Sequence, residues 1–407
     1  MTQGQSPTLK RVLSGQLCSG CGLCAGVAPD AVTLETVAPG YSRPLQTAPV
    51  SADAERAIAT ACPGAKVAPW TGIAPDSHEY WGPWRGIHTG FALDPDVRFA
   101  GSSGGAISAL LIHALGTGQV EQVLHVTADP EKPTRNIVTF STTAEQVVRN
   151  AGSRYAASSP LQDIGRLLDE GKRTAFVGKP CDVSALRQLA TVDARVNATF
   201  PLMLSFFCGG LPSHAGADRI VRAMGLEPEK LASFRYRGNG WPGMARAETT
   251  DGRSAEMSYA ASWGGHLSKE VQFRCKICPD AIGGVADIAC ADAWYGDDDG
   301  YPSFEEQEGR SLIVSRTAAG ERLLGEAIAA GGLEIEPLDA DQIDRMQPAQ
   351  ARRKRLVLAR TASCHVLRQP VPKMDGLDVG KAARRARLKE QLHNFLGTLR
   401  RILINRR

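Results

Sequence analysis

Five of the ten cysteines in this 407-residue chain fall in two tight groups, Cys18-Ser-Gly-Cys21-Gly-Leu-Cys24 and Cys275-Lys-Ile-Cys278. The others are Cys62, Cys181, Cys208, Cys290 and Cys364. Ten thiols at this length are too sparse for a secreted disulfide scaffold. Met1–Lys10 is polar and lacks an apolar signal core, so the chain is expected to be cytoplasmic. In such a chain, clustered cysteines point to an inorganic centre or to catalysis.

The first group has the C-x2-C-x2-C spacing of a bacterial ferredoxin loop, whose backbone wraps an iron–sulfur cube. Gly20 and Gly22 suit so tight a path. In the two-cluster ferredoxin pattern, a fourth cysteine just before proline ligates the other cluster. Here that position is Ala28, followed by Pro29. The reverse holds further on. Cys62-Pro63 ends the helix-like run Ala52–Ala61 as a fourth cysteine would, without three leading cysteines of its own. The two losses are complementary. They predict one 4Fe–4S cluster on Cys18, Cys21, Cys24 and Cys62, in a ferredoxin-like head over residues 11–70. A zinc knuckle competes, but the spacing is tighter than paired zinc ligands usually have.

The second group is ambiguous alone: half a zinc ribbon, a redox pair or half a cluster. Cys181 follows the strand-like end Phe176–Pro180, and Cys208 ends the apolar strand Leu202–Phe207. Both lie at carboxyl ends of expected sheet strands, where α/β sites collect. Cys181, Cys208, Cys275 and Cys278 could make a second cube. Equally, Cys181 and Cys208 could be small buried hydrophobes. Cys290 and Cys364 read as structural.

With 43% hydrophobic and 22% charged residues, the chain is expected to fold and not to be disordered. No stretch approaches the ~18–20 apolar residues that span a bilayer. The charge is uneven. Lys381–Arg407 carries nine Lys or Arg against Glu390, a net of +8, so the rest is 4 − 8 = −4. A basic tail on a mildly acidic body is not a nucleic-acid-binding pattern.

Residues 1–10 read as a loose arm, and the Trp-, Pro- and Gly-rich residues 71–90 as a surface linker. Over 91–350, expected helices (Gly104–Leu115, Pro160–Glu170, Val183–Leu189, Ala318–Ala330) alternate with expected strands (Gln122–Val126, Thr174–Val177, Pro201–Phe207, Ser311–Ser315). That alternation predicts a mixed α/β core within an α+β chain. Asp251-Gly252 marks a hairpin within Ala232–Tyr259. Gly101-Ser-Ser-Gly-Gly105 opens a helix, where free amides suit a phosphate or a serine simply caps the helix. Gly238-Asn-Gly240-Trp-Pro-Gly243 spells a dinucleotide fingerprint but leads into a hairpin, so that reading is rejected. A C-terminal extension, 351–407, sets Leu388, Leu392, Phe395, Leu399 and Ile402 on one stripe of a basic helix. It suits an anionic membrane at the inner face, a partner, or the chain's own body.

Arg98 with Gly101–Gly105, Gly152-Ser-Arg-Tyr155, Gly178-Lys-Pro-Cys-Asp182, Phe207-Cys-Gly-Gly210, Cys275-Lys-Ile-Cys278 and Ala286–Trp294 occur in order. Together they resemble the coenzyme F420 hydrogenase/dehydrogenase beta-subunit family, over roughly residues 15–345. The resemblance implies a flavin, FAD in most members or else FMN, in a flavin-binding domain over residues 91–350. It also implies the second cluster on Cys181, Cys208, Cys275 and Cys278. The flavin region would correspond to Ser103, Gly104 and Gly105, to Arg154 and Tyr155, and to Lys179. Arg154 stands where lysine is commoner in the family's motif.

The function this implies is an iron–sulfur flavoprotein oxidoreductase. Electrons from a ferredoxin-like donor or partner redox subunit would pass through 4Fe–4S clusters to the flavin, and as hydride to a small-molecule acceptor, or the reverse. A homo-oligomer is compatible with this. Lys179, Tyr155 and His266 are the proton-donor candidates, none of them assigned. An electron-relay subunit and a non-redox zinc-stabilised binding protein are the alternatives; a brown or a colourless anaerobic sample separates the redox readings from the zinc one.

Overall fold

The computed structural model describes residues 4–70, 76–294, 296, 303 and 305–404. Its centre is an eight-stranded mixed sheet. In spatial order the strands are Leu333–Pro337, Gly86–Ala92, Ser311–Ser315, Ile288–Asp292, Leu202–Phe206, Thr174–Gly178, Gln122–Ala128 and Asn136–Ser141. The four from Ile288–Asp292 to Gln122–Ala128 run parallel; the flanking pairs are antiparallel. The parallel strands are apolar and buried, as strands covered on both faces must be. Helices Ala106–Gly116 and Ala318–Ala329 contribute Leu110, Leu111, Leu323 and Leu324 to one core cluster. Helices Ile164–Glu170 and Pro180–Leu189 supply Ile164, Leu167, Val183 and Leu186 to another.

The expected strands and the hairpin across Asp251-Gly252 are all present. Three expected helices start elsewhere, Gly104–Leu115 forming from Ala106. Pro160–Glu170 forms from Ile164. Val183–Leu189 instead starts earlier, at Pro180, where proline's missing amide costs nothing in a first turn.

Two expectations about connecting chain are corrected. Within the loose arm, Ser6 caps a helix over Pro7–Ser14 by accepting from the Leu9 amide, and Leu9 and Val12 are buried; residues 1–3 lie outside the described residues. Within the linker, residues 71–75 lie outside the described residues, but Asp76–His78, Gly82–Trp84 and Gly86–Ala92 are strands, the last inside the main sheet. Burial of aromatic area explains this: Tyr80 and Trp81 pack against Ile87, Leu312 and Val314. The buried Arg316 guanidinium then donates to the carbonyls of Trp81 (2.8 Å), Pro83 (2.6 Å) and Ile282 (2.8 Å).

The N-terminal lobe pairs a hairpin, Val32–Val37 with Tyr41–Gln46, with helix Ala52–Ala61. Ala28 sits in its apolar core beside Ile58, so that position holds no ligand. The lobe docks directly on the body. Leu161 donates to the Cys21 carbonyl at 3.0 Å, and Ser159 Oγ to the Gly20 carbonyl at 2.9 Å. A Cβ at Gly22, whose φ is +86°, would lie 2.8 Å from the Gln162 nitrogen.

The C-terminal extension forms helices Pro348–Val366 and Leu388–Leu403, packed on each other. Glu390 pairs with Arg352 and Arg355, and Ser363 Oγ donates to the Phe395 carbonyl. The expected single stripe is therefore split. Phe395, Leu399 and Ile402 are partly buried, while Leu388 and Leu392 stay exposed. The side that meets the long helix carries Glu390, Asn394 and Thr398 as well as apolar residues, which a hydrophobic stripe does not anticipate. Among the described residues no helix is long and apolar enough to cross a membrane.

Two histidines make the fold acid-sensitive. His125 is buried on its strand, 2.8 Å from Ser141 Oγ, and burial pulls its pKa down to about 4. Burial, with Arg135 nearby, does the same to His214, whose amide donates to the Gly40 carbonyl of the lobe. In the unfolded chain both ionise near 6.5. Between about pH 6.5 and 4 the unfolded chain binds more protons, so stability falls as pH drops through that window and levels below it. The urea midpoint should show this slope, and His125→Gln should flatten it; equal slopes in both proteins would contradict the assignment.

Candidate redox site

Three of the parallel strands deliver chemistry at their carboxyl ends: Thr174–Gly178 leads to Lys179 and Cys181, Leu202–Phe206 to Cys208, and Ile288–Asp292 to Trp294. This is where open α/β sheets place ligands.

The second cysteine set assembles there. Cys181, Cys208, Cys275 and Cys278 together line one small cavity, with Ser19, Gln272 and Arg274. Short helix Phe273–Lys276 carries Cys275 to the two strand ends. The Gly210 amide points at Cys208 Sγ (3.4 Å), the Leu211 amide at Cys275 Sγ (3.4 Å) and Gln272 Nε2 at Cys275 Sγ (3.6 Å). Burial, then the neighbouring Cys275 thiol, pushes Cys208 up to about 12; Cys181 lies well above the usual thiol range for the same first reason.

The first set also converges. Gly20 and Gly22 take φ of +76° and +86°, folding the loop so that the Gly20 amide faces Cys18 Sγ at 3.4 Å. Helix Ala52–Ala61 ends at Cys62, whose amide donates to the Ile58 carbonyl. Burial raises all four thiols, Cys62 to about 11. Cys21 and Cys24 are raised further by the charges their neighbours in the set would carry. Among the described residues, no three His, Cys, Asp or Glu side chains close on one point as a bare metal ion requires. Four enclosed thiols with amides aimed at the sulfurs have the donor chemistry of an iron–sulfur cluster.

The two sets are neighbours. Asp182 lies close enough to raise both Cys21 and Cys181. Its Oδ2 pairs with Lys179 Nζ at 2.7 Å, while its buried Oδ1 has no hydrogen-bond partner among the described residues. Burial alone would depress the Lys179 ammonium, but Asp182, Cys181 and Cys21 hold it above the ordinary lysine range. Lys179 is thus a fixed cation and a poor proton donor near neutral pH. His266 is absent from the cavity wall, which leaves Tyr155 of the three candidates.

Beside the second set opens a cavity of about 930 Å³, sharing Lys179, Cys208, Gly210, Cys275 and Arg353 with it. That volume is at the upper end for a cofactor or small-molecule site. Ser103, Gly105, Arg154, Tyr155 and Lys179 line it; Gly104 does not, because it packs on the sheet, where a Cβ would lie 2.7 Å from the Gly90 oxygen. Two of the expected contacts are also committed elsewhere. Ser103 Oγ donates to the Ala291 and Arg310 carbonyls, and the Arg154 guanidinium to Asn136 Oδ1 and the carbonyls of Phe234, Pro133 and Arg135. Arg154 therefore shapes the wall from behind.

Sequence reasoning missed an aromatic wall. Tyr155 packs on Trp263 (ring centroids 4.9 Å apart), and Trp294 stacks on Trp241 (4.8 Å, 13° between planes). The Arg237 guanidinium lies 4.5 Å from the Tyr259 ring centre. It forms a two-pronged pair with Asp292 at 2.9 and 2.8 Å, and Trp241 Nε1 donates to the same carboxylate at 2.7 Å. Tyr155 and Trp294 lie in the motifs that carry the resemblance; Arg237, Tyr259 and Trp263 lie in none of them.

Residues 87–164 match the model for the N-terminal part of the coenzyme F420 hydrogenase/dehydrogenase beta subunit, and residues 171–341 match the model for its C-terminal part. The beta subunit of coenzyme F420 hydrogenase from Methanococcus voltae is 25% identical over 253 residues, 61% of this chain and 82% of that protein. The beta subunit of F420-dependent formate dehydrogenase 1 from Methanococcus maripaludis is 27% identical over 228 residues, and this chain spans only 57% of its length. A chain of the F420-reducing [NiFe] hydrogenase complex from Methanosarcina barkeri superposes with a TM-score of 0.52 at 20% identity, covering 68% of this chain and 91% of that one, so the fold is shared. The two matched models together take in most of the sheet and the whole second cysteine set, and the chain belongs to the coenzyme F420 hydrogenase/dehydrogenase beta-subunit family.

Proposed function

We propose that this chain is an iron–sulfur flavoprotein oxidoreductase exchanging electrons between a protein donor and a small organic acceptor. The supporting observation is that two four-cysteine sets and one large aromatic-walled cavity lie side by side at the ends of the parallel strands. Cys18, Cys21, Cys24 and Cys62, in a ferredoxin-like lobe, would hold one 4Fe–4S cluster; Cys181, Cys208, Cys275 and Cys278 would hold a second. The cavity would hold a flavin, which supplies the conversion between single-electron and hydride chemistry.

The chain's own residues do the rest. Tyr155 and Trp263, their rings tilted 56° to each other, offer apolar ring surface to the cavity, and Lys179 places a positive charge on the same cavity wall. The Arg237–Asp292 pair fixes the adjoining aromatic residues Tyr259 and Trp294. Tyr155, close to Tyr259, is the hydroxyl placed to hold or pass a proton. The lobe, whose Cys24 and Cys62 are less buried than Cys18 and Cys21, would be the entry for a ferredoxin-like donor or a partner redox subunit. A partner redox subunit is supported by the names of the relatives, which are beta subunits of coenzyme F420 hydrogenase and of F420-dependent formate dehydrogenase.

The cavity rim favours an acceptor bearing phosphate or carboxylate. Lys276, Arg352, Arg353 and Arg360 all line it. Burial, then Arg353, Arg352 and Arg401, lowers Arg360 to about 10, and burial followed by Arg401 lowers Lys276. Such crowding of cations is relieved by an anion. Lys276→Gln should raise KM for the acceptor about tenfold, about 1.4 kcal/mol, with kcat unchanged. Reducing the anaerobic protein and screening acceptors for stoichiometric reoxidation tests the whole reading. Reoxidation by anionic organic acceptors is expected; reoxidation by protein partners alone would make the chain a relay subunit.

A further inference from the structure

We propose that Arg274 is the electrostatic tie between the two cysteine sets, a positioning residue whose single buried charge sets the reduction potential of both clusters and holds their loops together. The proposal rests on the preceding reading that both sets carry clusters. Arg274 is 2% exposed. It precedes Cys275 directly and lines the cavity shared by Cys181, Cys208, Cys275 and Cys278. Its guanidinium crosses to the other set, where Nη2 and Nε donate to the carbonyl of Pro63, the residue after Cys62, at 2.8 and 3.3 Å.

What surrounds this charge decides its role. Of the other cations nearby, Lys179 has a carboxylate, and Arg43 and Arg353 are less buried than Arg274. Lys179 is spent on Asp182. Arg43, near Cys18, donates to Gln272 and the Ser42 carbonyl, and Arg353 donates to the Cys208 and Gly209 carbonyls. Among the described residues no carboxylate pairs with Arg274. An isolated guanidinium this deeply buried is costly without a counter-charge. The cysteine sets are the groups placed to supply it: Arg274 lines one cavity with Cys181, Cys208, Cys275 and Cys278, and it reaches the Pro63 carbonyl beside Cys62. One guanidinium thus faces both sets, and it stabilises the more negative, reduced state of each cluster.

The test is a redox titration followed by electron paramagnetic resonance on the full chain, parent against Arg274→Gln and Arg274→Lys. Arg274→Gln should shift the reduction equilibrium of both clusters at least tenfold toward the oxidised form, about 59 mV for one electron, and the second cluster more, because Arg274 lines that set's cavity and directly precedes Cys275. Arg274→Lys should restore most of the shift, since it keeps the charge. If Arg274→Gln fails to load its clusters, the lysine variant decides: potentials near the parent's support the proposal, and a tenfold shift in both despite the retained charge overturns it. Unmoved potentials in loaded Arg274→Gln also overturn it. A parent protein without iron and sulfide instead overturns the cluster reading beneath it.

Discussion

Asp292→Ala is expected to destabilise the protein by about 3–5 kcal/mol, the cost of leaving a buried ion-pair partner alone. Arg237 is 2% exposed, and its two pair bonds, at 2.9 and 2.8 Å, both end on Asp292. Removing the carboxylate also strips Trp241 Nε1 of its acceptor at 2.7 Å. The remaining guanidinium bond, Nε to the Pro242 carbonyl at 2.8 Å, cannot neutralise the charge. The damage should spread to the cavity, because Tyr259 and Trp294 pack on the same guanidinium. Asp292→Asn keeps an acceptor and should lose roughly half as much, whereas the double replacement Arg237→Met with Asp292→Leu, which leaves no charge behind, should recover most of the loss. Urea unfolding of the main transition measures this. A loss below about 1 kcal/mol in Asp292→Ala would show that water reaches Arg237.

Cys275→Ser should remove the second cluster entirely, lowering iron and acid-labile sulfide by about half, while Cys364→Ala changes neither. Cys275 stands between the two strand-end cysteines and Cys278, and its sulfur receives the Leu211 amide and the Gln272 side chain. Serine is a far poorer cluster ligand than thiolate. Cys364 is buried in the long C-terminal helix, its Sγ donating to the Arg360 carbonyl at 3.4 Å. Equal iron loss in both variants would mean a general loss of fold, and no loss in Cys275→Ser would remove that residue from the ligand set.

The parts of this site legible in the sequence are those encoded locally. Cys18, Cys21 and Cys24 announce themselves by spacing, and Gly20 and Gly22 by the backbone they permit, with φ of +76° and +86° in the folded loop. Cys181 and Cys208 fall at strand ends that the alternation of elements locates. Joining them to Cys275 and Cys278 takes the family resemblance, since 66 residues of chain lie between Cys208 and Cys275 in the sequence. Arg237, Tyr259 and Trp263 are invisible there because their meaning comes from a cavity closed by distant segments. The linker shows the opposite failure: Trp, Pro and Gly composition suggests exposed chain, while Tyr80, Trp81 and the far-off Arg316 bury it. The split stripe of helix Leu388–Leu403 is illegible for the same reason, because Arg352, Arg355 and Ser363, not apolar periodicity alone, set which side faces in.

Mössbauer spectroscopy with iron, sulfide and flavin analysis on anaerobically prepared full chain tests the central claim most directly. Two cubane clusters beside one flavin give about eight iron and eight sulfide per chain with one flavin released on denaturation. A colourless protein holding zinc, or one with neither iron nor sulfide, would contradict it.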